Sequence, residues 1–461
     1  MLKIFRHYFP LHVLQRLSLD FFLLLVAVVA LAAFRMRGGE ISGRGLFLSA
    51  LGFAMAMVTV NFALGLYRPV DEDGSRAAFA RFVLAMLLCL PTAYGAMLFL
   101  PWDGFASLSM QAQMLALVLI VLMLRVLLNR SQASSLFSPR ILVVGTGEDA
   151  LEVQRILLHP EQGRVDVRAF FPIDNDDKRF VDERKIVSGG SLSYAARQLE
   201  IDEIVVAVRE RRGVELPLRE LFDCKLSGVR ILDLSSFYER VRRQVRLDSL
   251  HTSWLIYGDG FQQALGRMFL KRIFDLAGSI ALLILVSPVM ILIALLITFE
   301  DHGPVFYFQE RIGFGGQLFR IARFRSISVG VVEEDNPSRQ AVTDDVQFTK
   351  IGRLIRKLRV DRLPQLLNVL SGDMSLVGPC PEQPYFVDQM AREIPFYSVR
   401  HCVKPGLTGW SQVRYRGGVS VEDAIQKLQY DLYYIKNHTL VLDTLVLLET
   451  MRVLLTGKGD R

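Results

Sequence analysis

Four long apolar segments open the chain, and each is close to the length that a helix needs to cross a lipid bilayer. Basic residues flank this set, with Lys3 and Arg16 before the first segment and Arg140 after the last. An even number of spans with basic flanks predicts that both ends lie in the cytoplasm, although the intervening loop Arg35–Arg44 is also basic. The segments are Leu17–Phe34, Leu46–Tyr67, Phe79–Leu100 and Met110–Leu128.

A different pattern, in which short apolar strands alternate with helical segments, follows the polar linker Ser131–Pro139. This alternation predicts a parallel sheet packed against helices, which is an α/β domain of Rossmann type. The expected strands are Ile141–Val144, Val165–Phe170, Glu203–Val208 and Val229–Leu232, and the expected helices are Ala150–Leu158, Leu192–Leu199 and Leu216–Lys225. We therefore predict a four-span transmembrane region at 1–135 and a Rossmann-like domain at 136–262.

The first strand of this domain runs into Gly145-Thr146-Gly147 and reaches Ala150, which is a GxGxxA pattern. Such a turn either places a nucleotide phosphate at a helix N-terminus or simply needs glycine in order to be tight. The acid that would bind a ribose hydroxyl is absent from the end of the second strand, where Asp174 comes late. We therefore expect the turn to be structural.

A fifth apolar run, Leu276–Ile297, carries Ser287 and Pro288 at its centre. Proline removes one helical hydrogen bond, and in lipid the freed carbonyl needs a partner such as the neighbouring Ser287 hydroxyl. A fifth complete span would leave the following residues outside the cell, away from nucleotide-activated substrates. The pattern predicts a re-entrant helix at 276–298 that breaks at Ser287-Pro288 and returns, within a third domain at 263–461; the alternative is a kinked spanning helix.

The segment Lys350–Arg359 places apolar residues on one face of a helix and basic residues on the other. Such a helix is typical of the headgroup layer of a membrane, although a surface helix packed on a protein core shows the same pattern. Asp361 follows directly, and we expect Leu363-Pro364 to stop the helix there. A carboxylate at this place is a candidate nucleophile toward phosphorus, whereas most aspartates at helix ends only form salt bridges.

Composition and charge favour contact with phosphates. The 461 residues are 51% hydrophobic and carry a formal charge of +7, which anionic substrates, lipid headgroups or basic membrane loops each explain. The four cysteines form no CxxC pair, so neither a disulfide framework nor a zinc site is expected. Arginines that can bind a diphosphate and a rigid turn with two prolines complete the candidate site, although each arginine taken alone is equally typical of a solvated surface charge. These residues are Arg311, Arg323, Arg325, Arg356, Pro379 and Pro381.

The chain from Lys271 onward resembles the bacterial sugar transferases that act on polyprenyl phosphate, the monotopic phosphoglycosyl transferases. The matching motifs are KRIFDLAGSIALLILVSPVMILIALLI, GPVFYFQERIGFGGQLFRIARFRSI, KIGRLIRKLRVDRLPQLLNVLSGDMSLVGPCPEQP, KPGLTGWSQV and YDLYYIKNHTLVLD. The whole chain is similar to the large members, which combine four spans, a Rossmann-like domain and the catalytic part. The stretches GVRILDLSSFYERV, SWLIYGDGF and LLTGKGDR look closest to exopolysaccharide sugar transferases of PEP-CTERM/exosortase systems.

The resemblance implies an enzyme of the bacterial inner membrane with its catalytic domain on the cytoplasmic face. Asp361 would attack the β-phosphorus of a UDP-sugar and expel UMP, and polyprenyl phosphate would then accept the phosphosugar. This reaction is the first membrane step of exopolysaccharide synthesis, and Mg²⁺ would neutralise the diphosphate. The implied partners are the UDP-sugar, polyprenyl phosphate and membrane lipids; no nucleic acid is expected, and a homodimer stays open.

Two positions depart from the family pattern. Arg362 stands where the family has the second acid of an Asp-Glu pair, and Cys380 stands where it has an arginine between two prolines. Either Arg362 supplies catalytic positive charge while another acid, such as Asp373 or Glu382, helps to hold the metal, or the enzyme is weakened or inactive. We expect activity, because the nucleophile, the basic helix and the proline-rich turn are all present.

Two other functions compete with this one. A membrane-bound nucleotide-sugar dehydratase or epimerase would use the Rossmann-like domain, but the sequence lacks the Tyr-x-x-x-Lys pair that such chemistry normally uses. A non-catalytic assembly or regulatory protein with a degenerate site is favoured by the Asp361-Arg362 departure. Release of UMP from UDP-sugars in the presence of polyprenyl phosphate distinguishes the enzyme from the non-catalytic protein.

Overall fold

The computed structural model divides the chain into two compact units, Met1–Ile4 with Tyr8–Arg242 and Phe5–His7 with Arg243–Arg461, which are described one at a time. The described residues are 2–4, 7–9, 11–35, 43–64, 91, 120, 139–158, 166–173, 180–187, 190–208, 216–247, 265–301, 303–326, 349–415, 417–418 and 420–456.

The N-terminal region contains two of the predicted apolar helices. Two short strands, β1 (Leu2–Ile4) and β2 (His7–Phe9), precede α1 (Leu11–Arg35) and α2 (Gly43–Ala63). The first two apolar segments are therefore helical as predicted, and the two helices pack against each other. The predicted spans Phe79–Leu100 and Met110–Leu128 lie outside the described residues except for one position in each, so the four-span region stays a prediction.

Four parallel strands form the sheet of the first unit, in the order β4-β3-β5-β6. The strands are β3 (Arg140–Val144), β4 (Asp166–Phe171), β5 (Glu203–Val206) and β6 (Arg230–Asp233), and the helices are α3 (Glu148–Leu158), α4 (Leu192–Gln198), α5 (Leu218–Leu226) and α6 (Leu234–Val241). The predicted strands and helices are present with small shifts at their ends. Helix α6 was not expected; it starts directly after β6 because the Asp233 side chain accepts a hydrogen bond from Ser236 N.

Both faces of this sheet are covered by helices. Ile141 and Val143 of β3 pack with residues of α3 and α6, whereas Leu142 and Val144 pack with residues of α4 and α5. Successive strand residues point to opposite faces, so a strand buried on both sides reads as a continuous apolar run. The predicted parallel α/β arrangement is therefore observed, while its assignment to the Rossmann class stays a prediction.

A single helix, α7 (Leu265–Asp301), contains the fifth apolar run. The helix continues through Pro288, so the expected interruption at Ser287-Pro288 is not observed in the secondary structure, and re-entry stays a prediction. Ser287 Oγ donates to Ile284 O at 2.9 Å, and this is the carbonyl that Pro288 leaves without a backbone donor. Among the described residues, Gly266–Glu300 is the one segment long and apolar enough, by length and composition, to cross a membrane.

The rest of the second unit builds around α7. Its elements are β7 (Phe306–Ile312), β8 (Leu318–Phe324), α8 (Lys350–Lys357), α9 (Gln365–Ser371), β9 (Ser375–Val377), α10 (Pro384–Glu393), β10 (Gly406–Thr408), α11 (Trp410–Arg414), α12 (Val421–Asn437) and α13 (Leu440–Thr456). Strands β7 and β8 form an antiparallel hairpin, and β9 pairs with β10 in parallel. The main segment of this unit begins at Arg243, before the predicted domain boundary at residue 263. The Arg243 carbonyl accepts a hydrogen bond from Trp410 Nε1 at 3.1 Å.

Candidate active site

Asp361 lies in a short 3-10 turn, Val360–Arg362, between α8 and α9. Helix α8 ends at Lys357, and Arg359 then adopts the left-handed conformation (φ 57°), which a continuing helix excludes. The prediction that Leu363-Pro364 stops this helix is therefore wrong. Pro364 instead begins α9, where the fixed φ of proline suits the first turn.

The apolar face of α8 is divided between the protein core and the surface. Ile355 is buried in a cluster with Ile293 and Ile297 of α7 and Phe324 of β8. Leu354 and its neighbour one turn later, Leu358, are exposed. The helix therefore packs on the protein with one part of its apolar face and leaves the other part available, so its contact with headgroups stays a prediction.

Two of the predicted phosphate-binding arginines, Arg311 and Arg323, lie on the inward face of the β7–β8 hairpin. In the antiparallel register Arg311 stands opposite Phe319, and Arg323 stands opposite Tyr307. Directly opposite residues share a face, and the alternate residues of β7 are exposed. Arg325 follows β8 two positions after Arg323 and is buried. The hairpin therefore presents two arginines to one side.

The positive charges of Arg311 and Arg323 are disfavoured by burial and by neighbouring cations. Burial, together with the charge of the neighbouring Arg323, lowers the pKa of Arg311 to about 10. Burial also lowers the pKa of Arg323, with a further decrease from Arg362, whereas Asp361 raises it. The buried Nε atoms of both arginines have no hydrogen-bond acceptor among the residues that the structure describes. A buried donor without an acceptor lowers the stability of the fold by roughly 1–3 kcal/mol. An anionic ligand would supply the acceptor.

The same electrostatic neighbourhood joins the predicted nucleophile to the proline-rich turn. Arg323 interacts with Asp361, Arg362, Arg356 and Cys380, which identifies them as one group. Burial raises the pKa of the Cys380 thiol, as does Glu382, so no compensating thiolate is present at neutral pH. Asp361 therefore belongs to a region in which several guanidinium groups gather.

The turn from Gly378 to Pro381 is fixed by backbone contacts. Gly378 N donates to Thr408 O and Gly406 N donates to Pro379 O, both at 2.9 Å. A Cβ atom on Gly378 would lie 2.3 Å from Lys404 O, so this close approach requires glycine. Pro379 and Pro381 are buried, and Arg311 Nη1 reaches Pro381 O at 3.4 Å. The two prolines thus shape the turn, and Arg311 links it to the hairpin.

A buried ion network, which was not predicted from the sequence, contacts this turn through the Cys380 carbonyl. Arg400 lies 2.6 Å from Glu382 Oε2 and 3.0 Å from Asp431 Oδ2, and it donates to Cys380 O at 3.3 Å. Burial acts to lower the pKa of Arg400, but the two carboxylates raise it well above its ordinary value. Asp431 belongs to the motif YDLYYIKN, and an acid among apolar residues of a buried helix was the signal that an internal cation exists.

The two predicted magnesium ligands do not converge on Asp361. Glu382 is held by Arg400 and by the Tyr397 hydroxyl, which lower the pKa of its carboxyl despite burial. Asp373 accepts from Ser371 Oγ at 2.7 Å, and helix α9, about 10 Å long at 1.5 Å per residue, lies between it and Asp361 in the chain. No cluster of three acidic, His or Cys residues occurs in the described part of the chain. These residues do not fit a shared metal site with Asp361.

Comparison with known proteins assigns the second unit. Residues 266–457 match the family model described as bacterial sugar transferase. The chain is 42% identical to a UDP-N-acetylgalactosamine-undecaprenyl-phosphate N-acetylgalactosaminephosphotransferase of Aeromonas hydrophila, over 53% of this chain and 56% of that protein.

Two further relatives are covered over most of their length. The sugar transferase EpsL of Bacillus subtilis is 39% identical over 42% of this chain and 90% of its own length. A UDP-glucose:undecaprenyl-phosphate glucose-1-phosphate transferase of Caulobacter vibrioides is 41% identical over 40% of this chain and 70% of its own length. The resemblance inferred from the motifs is thereby confirmed. The chain belongs to the bacterial sugar transferase family.

Proposed function

We propose that this protein is a membrane phosphoglycosyl transferase that moves a phosphosugar from a UDP-sugar to polyprenyl phosphate in exopolysaccharide synthesis. The observation that carries the proposal is the position of Asp361 among Arg323, Arg356 and Arg362. A diphosphate brings negative charge that these guanidinium groups neutralise by charge-assisted hydrogen bonds. Relatives named for transfer to undecaprenyl phosphate support the acceptor class.

The chemistry proceeds in two displacements at one phosphorus. An oxygen of Asp361 forms a bond to the β-phosphorus while the bond from that phosphorus to the bridging oxygen breaks, and UMP leaves with the electron pair. A phosphate oxygen of the polyprenyl phosphate then attacks the same phosphorus. The bond to Asp361 breaks, which restores the carboxylate and gives polyprenyl diphosphate sugar.

The arginines have separate tasks in this scheme. Arg323 and Arg311, fixed on the hairpin, bind the diphosphate, since their buried Nε donors need acceptors. Arg362, next to the nucleophile, offsets the repulsion between the Asp361 carboxylate and the approaching phosphates. The rigid turn Gly378–Pro381 holds the other side of the site, through Arg311 and the Arg400 network.

Replacing the nucleophile tests the proposal. Asp361→Asn should retain the fold and lose UMP release from UDP-sugars, because an amide cannot form the acyl phosphate. Asp388→Asn is the matched control, since Asp388 is an exposed aspartate on α10 of the same unit. Near-normal UMP release by Asp361→Asn would show that another group is the nucleophile. Absence of turnover in the wild type with several UDP-sugars would favour the non-catalytic protein.

We also propose that both flanks of α7 lie on the cytoplasmic side of the membrane. Before Pro288, Arg272 donates to Val369 O at 2.7 Å. After Pro288, the Glu300 carboxylate accepts from Lys350 N at 2.7 Å. Both halves thus contact one compact unit, whereas a spanning helix would carry its two ends to opposite faces of a hydrocarbon core about 30 Å thick. The stretch between them is apolar and largely exposed, as contact with lipid requires.

Accessibility to a membrane-impermeant maleimide tests this placement. Gly266→Cys reports the N-terminal flank, because Gly266 is exposed with open space around its Cβ position, and Glu310→Cys on the hairpin reports the C-terminal flank. In a chain without native cysteines, both should be protected in intact cells and labelled after lysis. Labelling of Glu310→Cys alone in intact cells would identify α7 as a true span.

A further inference from the structure

The outer face of the β7–β8 hairpin carries exposed apolar side chains next to the end of α7. Phe306 and Phe308 lie on this face, because strand residues two positions apart share a side. The residues between and after them, Tyr307 and Gln309, face inward on the same side as Arg311. The hairpin therefore presents cations to the site and aromatic rings to the outside.

This apolar surface is continuous with the long apolar helix. The rings of Phe306 and Phe324 are stacked with their centroids 5.6 Å apart. Phe324 is buried against Ile293 and Ile297 of α7, in the cluster that also contains Ile355 of α8. Phe306 thus forms the rim of the core that joins the hairpin to α7. The exposed Leu354 and Leu358 extend the apolar surface on the α8 side.

An ion pair bounds the apolar part of the hairpin face. Glu310 and Arg320 stand directly opposite each other, with Arg320 Nε 3.9 Å from Glu310 Oε1, and both side chains are exposed. Charged groups are costly to place in hydrocarbon, so this pair belongs in water or among headgroups. Leu318 lies beyond the pair, toward the turn of the hairpin.

We propose that Phe306 and Phe308 insert into the lipid bilayer surface beside α7, and that the Glu310–Arg320 pair marks where the hairpin enters water. The inference rests on the proposed membrane placement of α7. A bilayer fits better than a protein partner, because the patch continues the surface of a helix with the length and apolarity of a membrane segment. Anchored at its base, the hairpin would hold Arg311 and Arg323 at a fixed height above the headgroups, within reach of a phosphate carried by a lipid.

Photocrosslinking to lipid tests this contact at single positions. Benzoylphenylalanine replaces Phe299, Phe308 or Leu318 in the full chain, which is reconstituted in vesicles of phosphatidylethanolamine and phosphatidylglycerol and irradiated. Lipid adducts on the purified chain are then measured by mass spectrometry. Leu318 is the matched control, because it lies on the same hairpin face with 60% exposure against 58% for Phe308. Adducts should form at Phe299 and Phe308 and be several-fold fewer at Leu318.

The three positions separate failure of this inference from failure of the membrane placement. Adducts at Phe299 without adducts at Phe308 would overturn the hairpin contact and leave α7 in lipid. Equal adducts at Phe308 and Leu318 would overturn the boundary at the ion pair, since the hairpin would then lie flat in the membrane. An absence of adducts at Phe299 would contradict the lipid exposure of α7 itself.

Discussion

Two regions of this chain are candidates for phosphate binding, and they differ in charge. The turn at Gly145–Ala150 has the glycine spacing of a nucleotide site, but Glu148 and Asp149 occupy the first turn of α3, where a phosphate would rest. The site around Asp361 has no glycine-rich loop, yet guanidinium groups gather there. Acids at the first place repel an anion, and arginines at the second attract one.

The first glycine of this turn, Gly145, is explained by backbone geometry. Gly145 adopts φ +115°, and a Cβ atom there would lie 2.8 Å from Ala207 O. Its neighbour Thr146 is buried, and the Thr146 carbonyl accepts from Phe180 N at 3.0 Å. Glycine spacing therefore reports how closely a chain turns, whereas the charges around a turn decide which ligand it accepts.

Removing one guanidinium group from the Asp361 site should have the largest effect on activity. Arg323→Gln should lower kcat/KM for the UDP-sugar by about 10- to 100-fold, the equivalent of one charge-assisted hydrogen bond of roughly 1.5–3 kcal/mol. Arg320→Gln is the control, since Arg320 lies on the outer face of the same strand and is exposed. Equal losses in both variants would mean that the charge acts only at long range.

The residue beside the nucleophile should have a smaller effect. Arg362→Ala should reduce turnover several-fold, because the diphosphate loses a cationic partner as Asp361 approaches. Arg362→Glu should preserve or raise activity and make it more dependent on Mg²⁺, since a second acid next to Asp361 attracts the cation. UMP release is measured against Mg²⁺ concentration for all three proteins. Superimposable curves for wild type and Arg362→Ala would show that Arg362 faces solvent.

The turn at Gly145–Ala150 should not bind a dinucleotide. NADPH added to the full chain should give no binding heat, because Glu148 and Asp149 oppose its diphosphate. UDP titrated into the same preparation serves as the positive control, and its binding should weaken in Arg323→Gln. Tight binding of NADPH that survives Arg323→Gln would assign a dinucleotide to the first unit and reverse the comparison.

Features that depend on neighbours in sequence were predictable. The strands and helices of the first unit follow from periodicity, and the bond from Ser287 to Ile284 follows from the position of Pro288. The continuation of helical structure through Pro288 differs from the expected interruption. The end of α8 was also missed, because it depends on a left-handed Arg359, a conformation that no residue type but glycine favours.

Features that depend on distant partners were not predictable from this sequence. The prediction had Glu382 as a candidate metal ligand, yet it is paired with Arg400, which also pairs with Asp431 of α12. The shared face of Arg311 and Arg323 could have been predicted, since alternation along β7 and β8 puts both side chains on one side of the hairpin. Their convergence with Asp361 required the fold.

The Arg400 network has a consequence for the order in which the protein is made. Its three charged members are separated widely along the chain, and Asp431 is the last to leave the ribosome. Until then Arg400 has at most one of its two carboxylates, and burying it with an incomplete set of partners is strongly unfavourable. The turn at Cys380 should therefore stay unformed on the nascent chain until α12 is complete. Truncated products that end before α12 is complete should therefore lack activity.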